Sequence, residues 1–214
     1  MNTLITTSHS LDSAKKLVLG ILLISVLGVA SAQTPPPRSE APIFKVGDRW
    51  KLEQKDRRTG VKESDLAREI TAVSATQIEA TENDGKLIMT PELAVIESPT
   101  VIITGEAKAL SFPLELSKKW DYKYSFKNKV SGNAGRWQLD ANVVAYEKVK
   151  VPAGEFDAFK IEYKGYWNNL TSTRNGRLQS TSWYAPSARA VVKTEFDDGF
   201  NSWVRELTEL QLQP

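Results

Sequence analysis

The chain of 214 residues has no cysteine and one histidine, His9. These absences exclude more than any motif establishes. Without cysteine there are no disulfides, no thiol redox chemistry and no thiolate ligands for zinc or iron–sulfur clusters. His9 lies in a segment expected to be removed, which leaves a chain with neither His nor Cys. Ser-His-Asp and Cys-His catalysis are then excluded, as are histidine metal centres. An enzyme built on this chain would have to use carboxylate pairs, Lys, Tyr or Ser-Lys. The expectation is a protein that is not an enzyme, with no catalytic residues, no metal and no cofactor. An excess of one charge is also missing: 28 basic against 26 acidic residues give +2. A nearly neutral surface has no long-range field to draw in nucleic acid.

Long hydrophobic runs are scarce too. The one present is LVLGILLISVLGVA at 17–30, preceded by Lys15 and Lys16 and followed by Ala30-Ser31-Ala32. As a helix it would reach only about 21 Å, at ~1.5 Å per residue, against a hydrocarbon core of ~30 Å. A basic flank, a short apolar run and a small-x-small site form the layout of a secretory signal peptide. Residues 1–32 are expected to be cleaved after Ala32, giving a periplasmic or secreted protein with no integral membrane span. The absence of cysteine argues against a lipid anchor on that residue. Removing Lys15, Lys16 and Asp12 leaves 26 basic and 25 acidic residues, a net charge of +1. Residues 33–43, QTPPPRSEAPI, read as a proline-rich extended tether, and 44–214 as a single β-rich domain.

From Phe44 onward the pattern is one of period two. Trp120, Tyr122, Tyr124 and Phe126 share one face of a segment whose other face is Asp121, Lys123, Ser125 and Lys127. Val143, Ala145, Val149 and Val151 align on a second segment, and Phe159, Ile161, Tyr163 and Trp167 on a third. Gly165 in that third row suggests a bulge or sharp bend. Asn83-Asp84-Gly85, Asn175-Gly176 and Asp198-Gly199 are hairpin signals. Residues 64–75 suit a short helix or a strand; no segment makes a long amphipathic helix. The predicted fold is all-β, an antiparallel meander forming an open or closed β-barrel or a clam-like half-barrel.

Four tags carry a family resemblance: KVGDRW at 45–50, FPLELSKKW at 112–120, VKVPAGEFDAFKI at 149–161 and WYAPSARAVVKTE at 183–195. Together and in this order the chain resembles an exported bacterial family of unknown function, the DUF 3108-like group. The resemblance implies an exported, barrel-like or half-barrel fold and brings no catalytic residue set. That family tends to carry glycine in WYAP-x-VG-x-V. Here the corresponding stretch is Ala188-Arg189-Ala190, so the turn after Pro186 is expected to differ.

Several residues qualify as candidate site residues. Pro152 and Gly154 suit positions i+1 and i+3 of a type I turn and are expected to lock strand register. Alternation puts Glu147 on the apolar face with Val143 and Val149, where a carboxylate needs a partner or becomes a ligand anchor. The carboxylates Glu195, Asp197 and Asp198 near a hairpin tip would serve a glycan hydrolase only as a pair across a cleft. The aromatic rows are the stronger candidates. Trp120, Tyr122, Tyr124, Tyr163 and Trp167, with Glu147, are predicted to line a site for an apolar or lipid-like molecule. An envelope protein partner, held through sheet edges or the tether, is the alternative.

Overall fold

The computed structural model describes residues 37–105 and 107–214; the expected signal peptide lies outside the described residues. Fourteen strands follow in order: β1 (Arg38–Ser39), β2 (Arg49–Asp56), β3 (Lys62–Val73), β4 (Ile78–Glu82), β5 (Gly85–Met89), β6 (Val95–Glu97), β7 (Val101–Gly105), β8 (Leu114–Glu115), β9 (Lys119–Asn128), β10 (Ala134–Val151), β11 (Gly154–Asn169), β12 (Asn175–Ala185), β13 (Ala190–Asp197) and β14 (Ser202–Gln211). Among the described residues the only helical piece is a 3₁₀ turn, Pro186–Ala188. Residues 64–75 therefore resolve as strand, most of them in β3.

Twelve of these strands close into an antiparallel barrel. The order is a plain meander: β2 through β7, then β9 through β14, with β14 returning to β2. β7 pairs directly with β9 because β8 leaves the wall to pair with β1. Arg38 lies opposite Glu115 and Ser39 opposite Leu114. This corrects the tether boundary: its described part, 37–43, includes a strand, so the folded body begins by Arg38 rather than at Phe44. The cause is tertiary, because β8 presents a free edge that a distant extended segment can satisfy.

The alternation read from sequence sets the wall. Tyr122 is buried while Asp121 and Lys123 are exposed. Inward residues form two apolar clusters. One gathers Phe44, Trp50, Ile70, Leu87 and Met89 from β2–β5 and the segment before them. The other gathers Tyr122, Leu139, Ile161, Tyr163, Leu178 and Phe196 from β9–β13.

Gly165 does not mark a bulge, since pairing with both neighbours runs through it unbroken. It is a point of close approach: a Cβ there would lie 2.0 Å from the Gln138 carbonyl oxygen. The bulge in this hairpin falls at Val144, between the pairs Val143–Ile161 and Ala145–Lys160. Asn175-Gly176 is likewise not the turn. Both residues are already in β12, and Gly176 leaves room for the Trp167 ring, 2.7 Å from where its Cβ would stand. At Asn83-Asp84 both residues adopt positive φ, 47° and 65°, between the paired Glu82 and Gly85.

The β10–β11 hairpin is longer than its neighbour. Pairing of β10 with β9 ends at Asn142–Lys119, and Val143 still bonds to Ser117 and Lys118 just before β9, so beyond Val143 β10 has only β11 beside it. The free tip reaches past β12 and β13 to β14, where the Ala153 N–H donates to the Leu207 carbonyl at 3.0 Å. Val149, Val151 and Ala158 are buried by this docking. Pro152 and Ala153 form a two-residue loop between Val151 and Gly154, and Gly154 holds φ at 139°. Gly154→Val is expected to destabilise the fold by about 1–3 kcal/mol through backbone strain alone, because no heavy atom lies closer than 3.9 Å to the added Cβ. Thermal unfolding followed by circular dichroism measures it; an unchanged midpoint would refute the assignment.

Candidate functional site

The inward side chains do not fill the barrel completely. A cavity of about 320 Å³ lies between the two clusters. One wall is aromatic and comes from β9–β13: Tyr122, Tyr124, Trp137, Tyr163 and Phe196. The opposite wall comes from β2, β3 and β14 and carries Trp50, Leu52, Leu66, Arg68 and Arg205. Ala109 and Leu110, from the connection between β7 and β8, add to the lining, as do the polar side chains Ser180, Ser182, Thr194 and Arg189.

The aromatic wall is tied internally. Tyr122 and Tyr124 stack at 6.1 Å and 6°, and Tyr122 meets Tyr163 edge-on at 6.2 Å. Trp137 stacks on Phe196 at 5.8 Å, and Phe196 on Trp203 at 4.8 Å. Offset and edge-on geometries are those favoured by the ring quadrupoles. The Tyr163 hydroxyl donates to the Ala109 carbonyl at 2.8 Å, pinning the connection against the wall. Ser182 and Thr194 share a hydroxyl bond of 3.2 Å, and Ser180 donates to the Glu195 carbonyl. These three hydroxyls thus have partners within the wall, and the rest of it is mostly hydrocarbon and ring.

Of the residues predicted from sequence, Tyr122, Tyr124 and Tyr163 face the cavity. Trp120, Trp167 and Glu147 do not. Trp120 and Trp167 sit on inward rows, but at opposite barrel ends: Trp120 next to the start of β9, Trp167 near the end of β11. Trp120 donates its indole N–H to the Lys108 carbonyl at 2.8 Å, and Trp167 donates to the Asp198 carbonyl at 3.2 Å. Glu147 is the larger correction. The bulge at Val144 inverts the alternation, so Glu147 lies opposite Ala158 and its side chain is 43% exposed. There it accepts from the Trp183 indole N–H at 2.9 Å. Lys160 and Lys193 stand over the same Trp183 ring, 5.4 Å and 5.1 Å from its centroid.

Sequence reasoning missed the lumen's charged groups. Asp48, with 0% exposure, accepts from Arg189 Nη1 at 2.7 Å, from the Lys45 N–H at 2.9 Å and from the Gln213 N–H at 2.8 Å. Arg68 donates to Glu82 at 2.6 Å. Arg205 stacks on Trp203 at 4.9 Å and donates to Gln54 Oε1 at 2.5 Å, and no carboxylate pairs with it among the described residues. The available signal was positional: Arg68 and Arg205 stand on the inward parity of Leu66 and Trp203.

Two solved structures share this fold. A candidate lipoprotein from Parabacteroides distasonis superposes with a TM-score of 0.58 at 16% identity, over 81% of this chain and 99% of that one. A candidate exported protein with a YmcC-like fold from Bacteroides fragilis gives 0.57 at 13% identity, with coverage of 81% and 99%. At these identities the likeness concerns the fold. No protein-family model matches the chain, and no curated protein matches it.

Burial pushes the phenols of Tyr122, Tyr124, Tyr163 and Tyr184 well above the ordinary value of 10.0. The folded barrel holds these protons after the unfolded chain has lost them. Their contribution to stability is complete below the unfolded pKa of about 10 and falls as pH rises above it. Alkaline titration by phenolate absorbance should show these four ionising only as the barrel unfolds; ionisation in the native state near pH 10 would contradict this. Glu147→Gln, outside the lumen, should shift stability by less than ~1 kcal/mol, measured by thermal unfolding; a loss of several kcal/mol would contradict the exposed placement of this carboxylate.

Proposed function

We propose that this is a non-catalytic exported envelope protein that holds an apolar, lipid-like molecule inside its barrel. The observation that carries the proposal is the cavity of about 320 Å³ lined by Tyr122, Tyr124, Trp137, Tyr163 and Phe196. That size is within the range of small-molecule sites, ~300–1,000 Å³, and at its lower end. The signal-peptide pattern at 15–32 supports export. So do the four tags resembling the DUF 3108-like group and the description of the Bacteroides fragilis neighbour as exported.

The outer wall supports a water-facing barrel. Lys119, Asp121, Lys123, Lys127, Arg136 and Asp140 are exposed on adjacent strands β9 and β10. A transmembrane barrel has the reverse arrangement, with an apolar band outside and a polar interior. Barrel closure removes most of the edges that the interaction-module alternative would need for strand addition, leaving the outer stretch of β10 beyond Val143 as the exception. The carboxylates at the β13–β14 hairpin are already in structural use. Glu195 meets Arg57 and Lys193, both at 3.0 Å, Asp197 accepts the Gly199 N–H, and Asp198 accepts the N–H groups of Phe200 and Asn201. That use favours a turn-stabilising role over glycan hydrolysis.

Native mass spectrometry of the exported protein should show an added mass that organic extraction removes. The stripped protein should bind the neutral dye N-phenyl-1-naphthylamine, and Leu66→Trp, which fills the cavity, should abolish that binding with the β spectrum intact. Stripped wild-type protein that ignores the dye, from a preparation with no added mass, would end the proposal.

A further inference from the structure

The wall carrying Arg68 and Arg205 is unbalanced in charge. Arg68 and Glu82 form a pair and cancel. Arg189 and Asp48 form a second pair and cancel. Arg205 remains, with Gln54 as its only hydrogen-bond acceptor among the described residues. Its stacking on Trp203 offsets part of the cost of holding a cation there, but adds no negative charge. Both Arg68 and Arg205 also keep an Nε–H that is buried and unbonded among the described residues. The protein therefore supplies fewer acceptors than the two guanidinium groups can use. A cation in a mostly apolar lumen is costly unless an anion joins it.

The two arginines act on one another. Burial pushes the Arg205 pKa below its ordinary value, the Arg68 charge pushes the same way, and Glu82 opposes both. Arg205 is on β14 and Arg68 on β3, the two neighbours of β2, so they flank one strand of the same wall. Facing them are the Tyr122, Tyr124 and Phe196 rings, with Leu52 and Leu66 alongside. The combination is a cationic spot on the rim of an apolar chamber.

Resting on the reading that the lumen holds a lipid-like molecule, we propose that its ligand is a single-chain amphiphile with one anionic headgroup. The headgroup, a carboxylate in the simplest case, pairs with Arg205, with Arg68 beside it. The chain runs over the aromatic wall. One negative charge neutralises the excess that Arg205 leaves. A chamber at the lower end of small-molecule volumes suits one chain of medium length and not a two-chain phospholipid. The guanidinium fork matches carboxylate geometry, whereas a neutral head would leave the charge uncompensated.

The test uses stripped full-length protein and displacement of N-phenyl-1-naphthylamine by laurate, dodecanol, dodecyltrimethylammonium and acetate. Laurate should displace the dye on the order of tenfold more tightly than dodecanol, the scale of one charge-assisted hydrogen bond. The cationic amphiphile should bind worst, and acetate should not compete, because the chain supplies the affinity. In Arg205→Gln the laurate preference should collapse while dodecanol binding is retained. Equal displacement by laurate and dodecanol in the wild type overturns the inference and leaves the apolar-ligand reading standing. Failure of the dye itself to bind removes that reading as well. If Arg205→Gln does not fold, the wild-type ligand comparison still decides. An unchanged laurate preference in a folded Arg205→Gln places the headgroup elsewhere and refutes the assignment.

Discussion

Closure of the barrel depends on the seam where the last strand meets the first long one, and a buried carboxylate holds the end of that seam. Asp48 has no exposure and three donors: Arg189, the Lys45 N–H and the Gln213 N–H. Through it the entry to β2, the segment after β14 and the turn between β12 and β13 meet at one side chain. The Trp50 indole adds a second tie to the same turn, donating to the Ala188 carbonyl at 2.8 Å. Removing one partner of a buried pair typically costs ~3–5 kcal/mol. Arg189 occupies the left-handed region, with φ at 53°, a strain of ~1–3 kcal/mol for a residue with a Cβ. The pair outweighs the strain. This explains how a residue with a Cβ can hold the left-handed position after Pro186: the side chain that makes it expensive also anchors Asp48.

The seam sets a geometric condition that the other irregularities serve. Twelve strands can close only if the wall bends, and bulges interrupt pairing at Val144, between Trp183 and Tyr184, and between Leu207 and Glu209. The extra residues are Val144 on β10, Val192 on β13 and Thr208 on β14, towards the end of the barrel where the β10–β11 tip crosses over. Bulges strengthen local twist and bend a strand. The tip uses that bend to reach β14, and its valines are buried there instead of in the lumen. One end of the barrel is thereby covered by the chain's own hairpin, while the middle retains its cavity.

How much of this could be read from sequence follows from which signals are local. Period-two alternation in 119–128 correctly placed Tyr122 and Tyr124 inside, because strand alternation needs no knowledge of neighbours. The same rule failed at Glu147, since one extra residue at Val144 reverses every later side chain and nothing in VVAYE marks it. Trp120 and Trp167 shared the right parity but not the right depth; depth along a barrel axis is set by stagger between strands, which is a tertiary quantity. Asn175-Gly176 carried strong turn chemistry, yet Gly176 was spent on making room for the Trp167 ring. Pairing of Arg38 and Ser39 with β8 was invisible behind the prolines at 35–37, because the edge they satisfy lies over seventy residues away in sequence.

The arginines show the deepest limit. Arg68 and Arg205 look like ordinary surface charges, flanked by Asp65 and Glu69, and by Val204 and Glu206. Only closure turns them inward, and only closure shows which of them has a carboxylate. Asp48 demonstrates that this chain satisfies a buried charge fully where the role is structural, with three donors on one group. Arg205 lacks that provision among the described residues, with Gln54 as its one acceptor. An architecture that balances Asp48 so completely and leaves Arg205 in excess treats the two differently. The imbalance borders the cavity, which is where a bound anion, rather than the fold, would complete it.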